Sequence, residues 1–439
     1  MESRDDSAEV AGAKACLDAF RKRSAETSEC HASNPGAGAG NSRLLIEISS
    51  AHKDLIVTEI PRDALTYLSS VLRGFGVYGA VQIGRGKFSE VYSCRNDEGS
   101  RTGRAVKVSK TASSLVDIKE GQAGTEAFAM HLGDMCAKTG GLSPFLSASR
   151  LLAVPAAGGQ YVAVLLMKEA KGTATELVTM LANGIMSDGS FSLPGLEKAG
   201  VFVQKVLERL SALHCLRIAH RDLKPANLLM NGDNAVFLSD PGMAIFPTSM
   251  HRPAPSLSPE KSPPTPRMPT PLATGRAIQI FQAATGQVAR RSPPENQAIR
   301  STLFIDPTEL ETIFSQQFRV RNNAGTHVFT GPEFPFKRNR GTMTSSDFLP
   351  GDMWAVGIIL LRILSGDKVL WMKDTHEKTT MANSSPQDFW AKYLHCSGTP
   401  SADPAVLLAV DLVRGLLRAD PAERLTCSTA LAHPFLQRP

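Results

Sequence analysis

The sequence predicts an α+β protein in two lobes, on three observations. Segments of strand character fall between Tyr78 and Met167, apolar residues beyond Leu196 recur at helical spacing, and a proline-dense stretch interrupts the second part. The 439 residues are 42% hydrophobic and 21% charged, which allows a sizeable core and excludes wholesale disorder, collagen and sustained coiled coil. Lys and Arg number 48 against 42 Asp and Glu, a net charge of +6, well short of the dense basic face of a dedicated nucleic-acid binder. The 7 cysteines (Cys16, Cys30, Cys94, Cys136, Cys215, Cys396 and Cys427) form no C-x-x-C pair, which argues against structural zinc and for a reducing compartment. The acidic start Met1-Glu2-Ser3-Arg4-Asp5-Asp6 is unlike a secretory leader, and the most apolar run, Val356 to Leu364, contains Arg362 and is about half a bilayer span. A soluble intracellular protein, in nucleus or cytoplasm, with neither membrane nor direct nucleic-acid contact is expected.

Along the chain, residues 1–50 offer a short helix at Ala13 to Lys22 and then small residues, Asn34 to Gly40, that bury little: a disordered tail is expected. Residues 51–77 read as a helical extension, with Leu65, Leu68, Val71 and Leu72 at helical spacing and Gly74 and Gly76 as its stop. Strands are expected at Tyr78 to Ile83, Val91 to Arg95, Arg104 to Ser109 and Tyr161 to Met167. Val201, Val206, Leu210 and Leu213 then predict a helix. Nine prolines between Pro247 and Pro271 forbid helix and ladder alike, so a disordered insertion is expected over about 247–322. Within it, Ala277 to Ala289 and Thr308 to Gln317 each have the pattern of a short helix.

Three groups of residues carry chemistry. Ile83-Gly84-Arg85-Gly86 lies between two expected strands; Gly84 and Gly86 would let the backbone pass close over a polyphosphate, and a tight hairpin turn is the plain alternative. Lys107 sits inside the apolar strand Ala105-Val106-Lys107-Val108, where an ammonium needs an anion unless the strand is an exposed edge. Glu126 is the preferred partner over Asp117 and Glu120 because it lies in the apolar helical register. The third group, His220-Arg221-Asp222-Leu223-Lys224-Pro225-Ala226-Asn227, packs a carboxylate, an ammonium and a carboxamide into six residues. There Asp222 would accept a hydroxyl proton, Lys224 would steady a transferred phosphate and Asn227 would hold a metal ion, with Asp240 as the second metal ligand.

This ordered set resembles the eukaryotic protein kinase family, serine/threonine type, over roughly Tyr78 to Phe435. Further carriers are Gly325 to Glu333, with Gly331 where the family usually has alanine, the Asp352-Met353-Trp354 helix, and Leu416 to Thr426 followed by His433-Pro434-Phe435. The resemblance implies a kinase domain at 78–437: a small β-rich N-lobe (78–167), a hinge (168–172) and a large helical C-lobe (173–437) with a long activation-segment insertion. It implies ATP and Mg2+, protein substrates, and a Glu333–Arg424 ion pair. Met167 would be the gatekeeper, Glu169 and Ala170 hinge residues bonding adenine through their backbone, and Val91, Ala105 and Leu229 the residues enclosing its ring. Lys224 is the serine/threonine pattern, and Thr326 matches the position that bonds the aspartate and lysine of the catalytic loop. The segment from Gly242 to Gly331, about 90 residues, is similar to that of the kinase that fires replication origins with a regulatory partner, whereas Gly84 to Val91 looks like casein kinase II; the first likeness is preferred. The insertion also carries Ser258, Ser262, Thr265 and Thr270, each followed by proline, as sites for modification or docking. One departure is Asp240-Pro241-Gly242: proline replaces the phenylalanine whose ring would stack near Met130 and His220, which keeps a pseudokinase or nucleotide-binding scaffold as the alternative.

Overall fold

One sheet, whose alternate side chains feed two cores, builds the first lobe. Its strands are β1 (Leu45–Glu47), β2 (Gly79–Arg85), β3 (Ser89–Arg95), β4 (Arg101–Ser109), β5 (Ala148–Pro155), β6 (Tyr161–Lys168) and, from far along the chain, Leu303–Ile305. In the computed structural model the described residues are 45–47, 60, 68, 70–187, 190–232, 235–247, 302–316, 325–334, 344–366, 374–394 and 403–437. Val106, Val108, Leu152, Val154, Val162, Val164 and Leu166 point to one face, where Leu68, Val71 and Leu72 cover them. Leu151, Ala153, Ala163 and Leu165 point to the other, into the core shared with the second lobe; Ala105, also buried, lies on that side by alternation with Val106. Lys107, two residues from Ala105, therefore faces that second side.

Helices α1 (Leu115–Glu120) and α2 (Gln122–Lys138) follow β4; Ser114 caps α1 through the N–H of Asp117. The second lobe holds β7 (Gly172–Thr173), α3 (Ala174–Ile185), a two-residue hairpin of β8 (Met186–Ser187) and β9 (Ser190–Phe191), and α4 (Leu193–Cys215). A small sheet then pairs β7 with β10 (Leu228–Met230) and β10 with β11 (Val236–Leu238). The strand at 303–305 is β12 and leads into α5 (Pro307–Gln316). Helices α6 (Leu349–Leu364), α7 (Thr375–Ala382), α8 (Pro386–Tyr393), α9 (Pro404–Leu416) and α10 (Cys427–Leu431) complete the lobe. The apolar run Val356 to Leu364 lies in α6, which is buried from Asp352 to Leu361. Among the described residues no helix is long and apolar enough to cross a membrane.

The structure corrects the sequence reading at several places. Residues 45–47, inside the expected tail, form a strand parallel to β2. Residues 302–316, inside the expected disordered insertion, form β12 and α5; β12 pairs antiparallel with β5, and α5 spans nearly the expected Thr308 to Gln317 helix. Strand β5 has no counterpart in the sequence reading because its apolar run, Leu151 to Val154, is short and holds a single β-branched residue. Val201, expected on an apolar face, is 53% exposed. Of the helical extension, residues 68 and 70–74 are helical; the helices expected at Ala13 to Lys22 and Ala277 to Ala289 lie outside the described residues.

Candidate active site

Lys107 stands between two carboxylates. Its Nζ donates to Glu126 Oε2 on α2 (2.6 Å) and to Asp240 Oδ1 (2.7 Å), with Glu126 buried and the Asp240 side chain 48% exposed. Burial alone would discharge the lysine, but the two carboxylates hold its pKa above the ordinary value. Burial raises that of Glu126 despite Lys107. For Asp240, burial also pushes upward, but Lys107, His220 and Lys224 together outweigh it and the pKa falls below the ordinary carboxylate value. Asp117, also weighed as that partner, accepts from Ser114 Oγ (2.7 Å).

Asp240 reaches Lys107 from a left-handed backbone, φ 55°, followed by a 3-10 turn at Pro241–Met243 that packs on α2. Pro241 and Gly242 are buried, and Gln122 donates through Nε2 to Met243 Sδ. Phe145, fully buried, places its ring 6.4 Å from that of His220, so an aromatic ring stands beside His220 although residue 241 is proline.

Asp222 receives four donors. The N–H and Oγ1 of Thr326 both donate to Oδ1 at 2.8 Å, while Lys224 Nζ (2.8 Å) and Asn227 Nδ2 (3.0 Å) donate to Oδ2. Lys224 also donates to Thr326 Oγ1 (2.9 Å), and Asn227 to the Asp222 carbonyl (2.8 Å). Thr326 reaches this position because Gly325 precedes it at φ 98°, where a side-chain carbon would come within 2.6 Å of the Arg221 carbonyl. Beneath the loop, Asp352 of α6 accepts the N–H groups of His220 (2.7 Å) and Arg221 (2.8 Å), fixing Arg221 at φ 70°. His214 contacts Asp352 at 3.1 Å; burial opposes its charge, yet Cys427 and Asp352 raise its pKa to about 10.

The remaining expected residues lie on the first-lobe sheet, just after β6 and on β10. Ile83 is exposed, Gly84 lies near the end of β2 opposite Val91, Gly86 lies on the β2–β3 turn, and Val91, Met167 and Leu229 are half-buried, with Ala105 paired to Met167. At Gly84 and Gly86 a side-chain carbon would meet only ordinary contacts, 3.6 and 3.5 Å, so the protein itself does not require glycine there. The Glu169 N–H bonds the Gly103 carbonyl (2.9 Å) and its carboxylate accepts from Ser93 Oγ (2.9 Å). The N–H groups of Lys168 and Lys171 are also engaged, leaving that of Ala170 without a partner among the described residues. Glu333 and Arg424 form a two-pronged pair at 2.7 and 3.0 Å, with the Arg424 side chain wholly buried.

A family profile described as protein kinase domain matches residues 79–258 and 310–436. The chain belongs to the protein kinase family. It is 27% identical over 263 residues to serine/threonine-protein kinase KIPK1 of Arabidopsis thaliana, covering 54% of this chain and 26% of that protein. To mitogen-activated protein kinase kinase 9 of the same plant it is 24% identical over 245 residues, 55% of this chain and 54% of the relative. To the calcium/calmodulin-dependent protein kinase type II subunit delta of Oryctolagus cuniculus it is 26% identical over 237 residues, 53% and 29% respectively. The aligned region therefore spans between about a quarter and about a half of these relatives.

One kinase-domain residue escaped the sequence reading. Lys378 of α7, 2% exposed, donates to the carbonyls of His327 (2.6 Å) and Thr330 (2.7 Å), clamping the turn that carries Thr326. A lysine in a polar helix has no motif to announce it.

Proposed function

We propose that this kinase domain transfers the γ-phosphoryl group of ATP to serine or threonine hydroxyls of proteins. The observation that carries the reading is the Asp222–Lys224–Asn227–Thr326 cluster lying in one molecule with the Lys107–Glu126–Asp240 chain. The adenine would lie against Val91, Ala105, Met167 and Leu229 and accept the unpartnered N–H of Ala170. The glycines at 84 and 86 leave room for phosphate, and Lys107 meets it as a held cation.

Asp222 is the base in this reading. A carboxylate offers about four acceptor sites, and all four are occupied. A substrate hydroxyl thus enters when one donor leaves, and Lys224, drawn to the transferring phosphate, is the donor that does so. Thr326 and Asn227 keep the carboxylate oriented meanwhile.

Residues for magnesium are also present. Asn227 commits its amide nitrogen to Asp222 and leaves its oxygen without a partner among the described residues, and Asp240 keeps Oδ2 likewise. No group of three or more His, Cys, Asp and Glu among the described residues could hold a metal alone, which fits an ion shared with nucleotide phosphates. When bound, magnesium neutralises developing phosphate charge.

The second reading, a nucleotide-binding scaffold, draws on Pro241. Phosphate transfer to a generic basic protein decides between them. Asp222→Asn is expected to lower kcat by about 10²–10⁴-fold with ATP binding retained; undiminished turnover by that variant would sink the mechanism. An intracellular setting, a regulatory protein partner and docking through the proline-rich insertion belong to the same proposal, as does the likeness to the kinase that fires replication origins.

A further inference from the structure

The segment from 302 to 316 has no place in the chemistry just described, yet it is built into the first lobe. Strand β12 pairs with β5 in register, Ile305 opposite Leu151, which sets where α5 begins two residues later. Ile305, Leu310 and Phe314 are all buried in the main core. Phe314 stacks on Phe128 of α2, with ring centres 5.5 Å apart and planes at 14°. Phe246, six residues beyond Asp240, completes a trio at 4.9 Å from Phe128 and 5.1 Å from Phe314. Lys119, at the end of α1 just before α2, pairs with Glu309 of α5 at 2.7 Å.

Phe128 lies two residues from Glu126, about 200° around the helix. The carboxylate faces Lys107 on one side of α2, and α5 bears on the opposite side. We infer that β12 and α5 form a built-in positioning element: Phe314 and Glu309 hold α2 where Glu126 meets Lys107. The same trio holds the chain just after Asp240, so α5 fixes both carboxylate partners of Lys107. It also provides aromatic packing at the end of the Asp240-Pro241-Gly242 turn, whose own ring is missing. This inference rests on the phosphotransfer reading.

The test uses the full chain with Phe314→Ala, Phe314→Leu, Glu309→Lys and the swapped pair Lys119→Glu with Glu309→Lys. Readouts are kcat and KM for ATP, and amide hydrogen exchange of 122–138 relative to α6. Phe314→Ala is expected to lower kcat/KM for ATP about ten-fold or more and to speed exchange in α2 while α6 stays protected; Phe314→Leu restores most of both. Glu309→Lys, a surface change that leaves the core intact, is expected to cost about two- to five-fold, and the swapped pair to recover it. Should Phe314→Ala unfold, the Glu309 series decides alone. A lower melting temperature with kcat/KM and α2 exchange unchanged would mean that α5 merely covers the core, and would overturn the inference. If the wild type transfers no phosphate, the phosphotransfer reading has failed instead, and α2 exchange with a non-hydrolysable ATP analogue still reads the α5 variants.

Discussion

Lys378 shows how a single buried charge can organise a loop. Burial lowers its pKa from 10.5 to about 8, against the opposing pull of Glu333 and Asp374. Between about pH 8 and 10.5 the unfolded chain therefore binds more protons than the folded one, so this group's contribution to stability improves as pH rises through that window. Below about pH 8 its burial cost is fully present. Lys378→Met is expected to flatten the stability profile between these limits and to free the carbonyls of His327 and Thr330. Steady-state kinetics should then show KM for the protein substrate rising several-fold with KM for ATP little changed, because Thr326 and its turn lose their clamp while Lys107 keeps both partners. Equal changes in the two constants would contradict this role.

At the scale of elements, Pro241 gives the clearest case. From sequence the lost ring implies space beside Met130 and His220; in the fold Phe145 stands beside His220, and Pro241 and Gly242 are buried against α2. Pro241→Phe is accordingly expected to overpack the turn and destabilise the protein by about 1–3 kcal/mol, visible as a lower melting temperature. A higher melting temperature would show that the space is there after all. The same contrast explains what was legible in the sequence. The Asp222 to Asn227 string could be read because its chemistry lies within six neighbouring residues, and the Lys107 strand because an ammonium among apolar residues demands a partner. Strand β5 could not, since its apolar run is short and holds a single β-branched residue. The Phe128–Phe246–Phe314 trio was hidden because phenylalanines carry no label for which distant ring they will meet. Lys378 was hidden for the same reason, its partners being backbone carbonyls that any sequence supplies.

For the whole molecule, the insertion contains a proline-dense stretch, Pro247 to Pro271, and further along the segment 302–316, which packs into the kinase core. Deleting Ser256 to Gln297 leaves about twelve residues, 248–255 and 298–301, between Pro247 and Thr302. Fully extended they reach about 40 Å, ample for a chain whose Phe246 ring already lies 5.1 Å from that of Phe314. The deletion variant is expected to fold, bind ATP and keep basal phosphotransfer, with changes confined to regulation or partner choice. Thermal melting and ATP-dependent phosphorylation check this, and an unfolded product would show that the deleted residues are integral to the domain.

The pairing of β12 with β5 also sets a timetable for synthesis. Strand β5 emerges from the ribosome about 150 residues ahead of its edge partner. At about 5–20 residues per second the first lobe waits roughly 7–30 s for its last strand. Throughout that interval an apolar edge and the bare back of α2 stand open, while most of the second lobe's early helices have yet to acquire α6. The first-lobe sheet is thus closed about 150 residues after β5 is made, and the nascent chain is open to edge pairing with another chain during that wait.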